Sequence, residues 1–329
     1  MHDIPFLRGN LNLLQELAAI RALVGVYRGV KPDVVHHVTI KPVLYGSMLA
    51  RMFRVPATVN AISGLGHTFS ATGPTAALRR NLIRLLYRKL FSLKNSKIIM
   101  QNPDDLREFI KRRIVSEHQT VLIRGSGVDL SLFQPTGAED PNLRVLFPAR
   151  MLWAKGVAEF VDAARQVQDS GIKAEFLLAG PFDPENPDHV PEHILQGYCK
   201  RGYVRWIGEI DNIAEEMAKA AVICLPSFYA EGVPKALIEA AASGKPIVTT
   251  DMPGCREVVR EGWNGFLVPS HDSASLAQAL IRLLSDASLR RQFGENSRRY
   301  AEQEFGIESV VLKTLAIYNE LLRIDVARI

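Results

Sequence analysis

Cysteine is scarce in this chain of 329 residues: Cys199, Cys224 and Cys255 are all there are. Three thiols with no metal-ligand spacing exclude a disulfide-stapled secreted scaffold and a structural zinc site, and they suit a reducing cytosol. Long hydrophobic runs are also missing. Every apolar stretch is too short or too interrupted to cross a bilayer, and Met1-His2-Asp3-Ile4-Pro5 lacks the basic start and apolar core of a signal peptide. No strong bias in charge or glycine supports a disordered or collagenous chain, since 47% of the residues are hydrophobic and 23% charged, as in an ordinary globular protein. The length is enough for two domains with a substantial core.

One local absence carries more information. Between Ala77 and Lys97 there is no acidic residue, while Arg79, Arg80, Arg84, Arg88, Lys89, Lys94 and Lys97 alternate with Leu78, Leu82, Ile83, Leu85, Leu86, Leu90, Phe91 and Leu93. The pattern predicts a basic amphipathic helix. It is equally that of a core-packed helix with a solvated basic face, or of one lying on an anionic membrane surface. The net charge of +5 suits an acidic partner such as a nucleotide, a lipid diphosphate or a membrane, without choosing among them.

Along the chain, buried-strand and helix patterns alternate, as in an open parallel α/β sheet. Asp33–Val38, Ala57–Ile62, Lys97–Met100 and Thr120–Ile123 read as strands, with helices at Leu11–Tyr27, at Pro42–Phe53 and after Asn102-Pro103-Asp104-Asp105. A polar, turn-rich stretch, Gln134–Pro141, reads as a linker. Beyond it, Leu143–Pro148, Lys173–Leu178, Ala221–Leu225 and Lys245–Thr250 read as strands of a second unit, and Asp183–Pro191 as a mobile acidic loop. Met252-Pro253-Gly254 reads as a turn, with a helix from Arg256. The resulting division is residues 1–137, residues 138–305 and a final helical segment, 306–329.

The densest motif is Glu231-Gly-Val-Pro-Lys-Ala-Leu-Ile-Glu239, which follows a strand and opens a helix, the usual station for a phosphate or sugar in an α/β protein. Pro234 reads as a first-turn residue, where a missing N–H costs nothing. Spacing alone does not make this a site: one glutamate can simply complement a helix dipole and another be solvated surface. Arg150 and Lys155, close together after the strand ending at Pro148, are the cations that a departing diphosphate needs.

Phe228–Pro234 through Gly254–Val258, with the Glu-x7-Glu spacing, resembles the family 4 retaining glycosyltransferases. The resemblance implies the GT-B fold, two Rossmann-like domains facing across a cleft, and a hexosyltransferase that uses a nucleotide sugar, with a UDP-sugar the expected donor. It implies that Glu231 meets the donor sugar and that the backbone of Gly232, Val233, Pro234 and Lys235 helps to hold it. By the same resemblance Glu239 meets the ribose, and Arg150 and Lys155 meet the diphosphate. Gly125-Ser126-Gly127-Val128-Asp129 is similar to the family's turn before the linker. Trp206-Ile207-Gly208-Glu209-Ile210 is similar to the loop beside the base, which brings in Gly127, Gly208 and Ile210. His36-His37 and Gly64-Leu65-Gly66-His67 resemble segments of the branch that acts on undecaprenyl-diphosphate-linked saccharides, with His67 the stronger candidate. The implied partners are a lipid-linked saccharide and, through helix 77–97, the inner face of the plasma membrane. No metal and no cofactor beyond the donor are expected, and no nucleic acid.

One departure stands against the family. The strand and glycine-rich loop that come before the helix near Leu11 have no counterpart here, so the first sheet is expected to lack N-terminal strands. Two alternatives follow. A non-catalytic remnant would bind UDP without transfer, and a nucleotide-sugar epimerase would convert the donor without an acceptor.

Overall fold

The computed structural model describes Ile4 and residues 13–64, 83–91, 95–135, 142–229 and 231–323. The chain forms two compact units. One comprises Met1–Ile123 with Val310–Ile329, and the other Arg124–Ser309.

The first unit runs α1 (Leu13–Val30), β1 (Val34–Val38), α2 (Ile40–Met52), β2 (Ala57–Ile62), α3 (residues 83–90), β3 (Ser96–Met100), α4 (Pro103–Lys111) and β4 (Thr120–Leu122). The four strands pair in chain order, all parallel. A parallel sheet needs cover on both faces, and the two-residue period of its strands shows how it is met. Ile98 and Met100 share a cluster with Tyr87 of α3, Phe91 just after it and Phe109 of α4. Val59, Ala61 and Ile99 point the other way, onto Ile317 and Leu321. Those two residues belong to the last helix, Ile307–Leu322, so the C-terminal segment completes the core of this first unit. Asn102 caps α4 by accepting from Asp105 N at 2.8 Å.

The second unit contains β5 (Arg144–Pro148), α5 (Val157–Asp169), β6 (Glu175–Ala179), α6 (Glu192–Lys200), β7 (Arg205–Gly208), α7 (Ile213–Lys219), β8 (Val222–Leu225), α8 (Lys235–Ala242), β9 (Ile247–Thr250), α9 (Pro253–Arg256) and β10 (Gly265–Val268). It ends with α10 (Ser273–Ser285) and α11 (Ala287–Glu304), and the last helix becomes α12. Its six parallel strands lie in the order β10-β9-β8-β5-β6-β7. The winding reverses between β5 and β8, and in such sheets the crevice for a ligand opens beyond the carboxyl ends of those two strands. β8 and β9 are buried along their whole length, and β8 accordingly reads as an unbroken apolar run.

Several expectations change. The boundary lies at Ile123/Arg124, ahead of the polar stretch, most of which falls outside the described residues. Residues 124–135 go with the second unit because Val128 N donates to Phe305 O at 2.8 Å and Ile307 N to Val128 O at 3.0 Å. Pro234, with ψ 118°, is extended and precedes α8 instead of entering its first turn. The expected turn at Met252–Gly254 is the start of α9, with Pro253 in its first turn, and that helix stops at Arg256. Helix α2 begins at Ile40, two residues before the proline.

Candidate active site

Arg150 and Lys155 follow β5, and Glu231 follows β8, so the reversal of strand order places all three at one crevice. Lys155 is only 9% exposed, and its Nζ lies 2.5 Å from Glu231 Oε1. Gly156, next in the chain, turns with φ 85°, and a Cβ there would stand 2.3 Å from Pro226 O at the end of β8. Only glycine lets the two strand ends come this close, and that approach brings the lysine to the glutamate. Phe228 N donates to Ala154 O at 2.9 Å, a second tie between the two loops. Ser227 Oγ stands 3.4 Å from Glu231 Oε1 and 3.3 Å from Ala154 O, able to donate to either.

The half-buried Tyr229 lies beside this pair, its ring centroid 5.6 Å from Lys155 Nζ. Burial first, and then the charge of Glu231, raise its phenol above the usual range, while Arg150 acts in the opposite direction. Arg150 is itself held through NH1 by Asp183, at 2.6 Å. A cavity of about 200 Å³ adjoins, lined by Arg150, Gly180, Pro181, Ile210, Ile213 and Glu239 among others. Glu239, on α8, is titrated higher than an ordinary glutamate because it is buried, an effect that Lys235, 3.6 Å away, partly offsets. Trp206 Nε1 donates to Gly180 O at 3.0 Å and Gly180 N to Gly208 O at 2.7 Å, which fixes the cavity wall.

Of the residues proposed from sequence, the structure thus gathers Arg150, Lys155, Glu231, Glu239 and Ile210, with Gly232, Val233, Pro234 and Lys235 between the two glutamates. The Gly232 loop is also braced from α9, where a Cβ on Gly254 would lie 1.9 Å from Gly232 O. Gly208 stands next to the cavity wall without appearing in its lining. Gly127 is placed elsewhere: its φ of 81° and a Cβ position 2.8 Å from Ile307 make it a packing glycine of the connecting segment. Gly125, two residues earlier, is the one that meets Val233 and Ile238.

His67 lies outside the described residues. His37 is a buried structural residue, with Nε2 2.7 Å from Tyr27 OH and Nδ1 2.9 Å from Asn60 Oδ1, and burial lowers its pKa. His36 instead meets Tyr318 OH at 2.6 Å. Lys97, counted into the basic helix, is in β3 and pairs with Glu320 at 2.8 Å.

Sequence reasoning passed over Asp183, Ser227 and Tyr229 as site residues. The Asp183–Pro191 stretch, expected to be mobile, is fastened to the β5 loop: Trp153 N donates to Asp188 O at 2.9 Å, and Ala154 N to the Asp188 carboxylate at 2.9 Å. The only available signal was the run of acids and prolines directly after a strand end. Among the described residues no three His, Cys, Asp or Glu side chains converge as metal ligands.

The family described as glycosyl transferases group 1 matches residues 142–286, and a glycosyl transferase 4-like family matches residues 3–102. The chain is 28% identical to the N,N'-diacetylbacillosaminyl-diphospho-undecaprenol alpha-1,3-N-acetylgalactosaminyltransferase of Campylobacter jejuni, over 97% of this chain and 85% of the relative. It is 24% identical to the UDP-Gal:alpha-D-GlcNAc-diphosphoundecaprenol alpha-1,3-galactosyltransferase of Escherichia coli, over 97% and 83%. Among solved structures it resembles sucrose-phosphate synthase from Thermosynechococcus elongatus with a TM-score of 0.82, at 22% identity and over 97% of this chain and 81% of that one. The Anabaena protein HepE in complex with UDP gives 0.75 at 21% identity, over 93% and 84%. With one glycosyltransferase family matching residues 142–286, another matching residues 3–102, and the fold of those structures, the chain is a glycosyltransferase of the GT-B fold.

Proposed function

We propose that this enzyme moves a hexose or N-acetylhexosamine from a UDP-sugar, with retention at the anomeric carbon, onto a saccharide carried by a lipid diphosphate, during assembly of a cell-surface polysaccharide or glycan. The observation that carries the reading is the pair of the buried Lys155 with the partly buried Glu231 at the sheet's switch point, with Arg150 and Glu239 on the adjoining cavity. The names of the Campylobacter and Escherichia relatives support the acceptor class, and the second also names a UDP donor.

The chemistry follows from the charges. As the bond from the anomeric carbon to the diphosphate breaks, negative charge grows on the departing oxygen, and cations already aimed there stabilise it without reorganising. Lys155 is held by Glu231 through one contact, and an ammonium has three donors, so it can serve the phosphate while anchored. Arg150 supplies the second cation, and in this proposal the two do the work that a metal does elsewhere. Glu231 orients a sugar hydroxyl, and Glu239 accepts from the ribose. The acceptor hydroxyl attacks from the face that the diphosphate leaves, and its proton passes to a phosphate oxygen. Removing Glu231 tests this reading: Glu231→Ala is expected to lower donor turnover by about two orders of magnitude or more, the scale of losing a positioned transition-state group. Activity within a few-fold of wild type would sink the assignment.

The same proposal places the enzyme peripherally on the cytoplasmic face of the plasma membrane. No helix among the described residues is long and apolar enough to cross a bilayer. In α3 the buried Tyr87 fixes one face to the core. Leu85 and Leu86 are 64% and 40% exposed beside Arg84, Arg88 and Lys89, an amphipathic arrangement suited to an anionic lipid surface.

A further inference from the structure

The loop after β6 is bonded along its length to the loop that carries Arg150 and Lys155. Met151 N donates to Pro181 O at 3.1 Å and Val190 N to Met151 O at 2.9 Å. Asp188 holds Trp153 N through its carbonyl and Ala154 N through its carboxylate, as described above. Asn186 N closes on Asp183 O at 3.0 Å. The backbone of Asp183 is therefore fixed relative to residues 151–154, and from that anchorage its carboxylate meets Arg150 NH1 at 2.6 Å. The contact engages one guanidinium nitrogen of a group that has five N–H donors.

We propose that Asp183 is a positioning residue that steadies Arg150 by one edge and competes with the departing diphosphate for the same guanidinium, so that it limits how tightly the nucleoside diphosphate product is retained. The inference rests on the donor-site reading given above. In the transfer, the acceptor oxygen forms a bond to the anomeric carbon, the bond from that carbon to the β-phosphate oxygen breaks, and its electron pair stays on the phosphate. The acceptor's proton passes to that oxygen and then to solvent, so the product diphosphate carries one more negative charge than the donor. A carboxylate on a loose loop would swing away from this charge. Asp183 is anchored and cannot, so it disfavours product more than donor. Both side chains are partly exposed, 41% for Arg150 and 25% for Asp183, so the effect is of the few-fold size seen for screened ion pairs.

The test is equilibrium binding of UDP and of uridine to the full chain. Asp183→Asn is expected to bind UDP roughly three- to fivefold tighter and uridine unchanged, because uridine has no phosphate to reach Arg150. Asp183→Ala should shift UDP binding in the same direction and checks that an asparagine amide oxygen does not replace the carboxylate in holding the arginine. The tightening should vanish when Asp183→Asn is made on top of Arg150→Ala, a result that a merely structural role for Asp183 does not produce. Weaker or unchanged UDP binding in both Asp183 variants, or tightening that persists without Arg150, overturns the proposal while leaving the donor site intact. Wild-type protein that binds no UDP overturns the donor-site reading itself and the proposal with it.

Discussion

Replacing Gly254 by alanine tests whether the glutamate loop depends on bracing from α9. The new Cβ would sit 1.9 Å from Gly232 O and 3.0 Å from Glu231 O, against a floor of 3.0 Å for real Cβ contacts. Both obstacles are backbone, so no side chain can rotate out of the way, and α9 and the loop must separate by about 1 Å. A displacement of that size in a positioned catalytic group costs on the order of 100-fold in rate, about 2.7 kcal/mol of transition-state stabilisation. Overpacking itself costs roughly 1–3 kcal/mol of stability, which lowers the melting temperature by several degrees without unfolding the protein at assay temperature. The assay is kcat/KM for sugar transfer beside a thermal melt of the same preparation. Gly197→Ala, in α6, is the control: a Cβ there meets nothing within 4 Å, so activity should stay and stability rise by about 0.5–1 kcal/mol. If Gly254→Ala keeps kcat/KM within about threefold of wild type, the bracing argument is refuted.

The remaining predictions concern the first unit. The buried carboxyl of Asp105 is pushed up to about 6, chiefly by burial, so its contribution to stability is fully present below its unfolded value of 3.8 and is lost as pH rises through about 6. That difference is worth up to about 3 kcal/mol. Asp105→Asn should remove this slope, so that denaturant midpoints of variant and wild type diverge between pH 4 and 7, and parallel midpoints would count against it. Neutralising Arg80, Arg84 and Arg88 together should weaken binding to phosphatidylglycerol vesicles by roughly 100-fold or more, at about 1 kcal/mol per basic residue near a charged surface. Unchanged binding in a co-sedimentation assay would mean that this basic stretch is only solvated.

The misplaced elements of the sequence reading share a cause. Val222–Leu225 was legible because both faces are buried and the apolar run is continuous, and the equally buried Ala57–Ile62 because only Thr58 and Asn60 interrupt its apolar residues. Asp183–Pro191 looked mobile because its prolines and acids carry no periodicity, and its order comes from bonds to residues about 30 positions earlier, which local pattern cannot register. His37 looked like a site candidate at a strand end. It is a core residue because Tyr27 and Asn60, from two other elements, satisfy its ring.

By itself the sequence determined the alternation of strands and helices, the small residues that let α8 pack on its sheet, and the placing of Glu231 in a loop and Glu239 inside the helix that follows. These follow from periods and caps within a few residues. It also carried the family resemblance. Tertiary structure alone decided that the strand order reverses between β5 and β8, and hence that Lys155 reaches a glutamate 76 residues away and Arg150 an aspartate on a third loop. Which strands become neighbours depends on how whole crossovers pack across a sheet, and no local spacing encodes that.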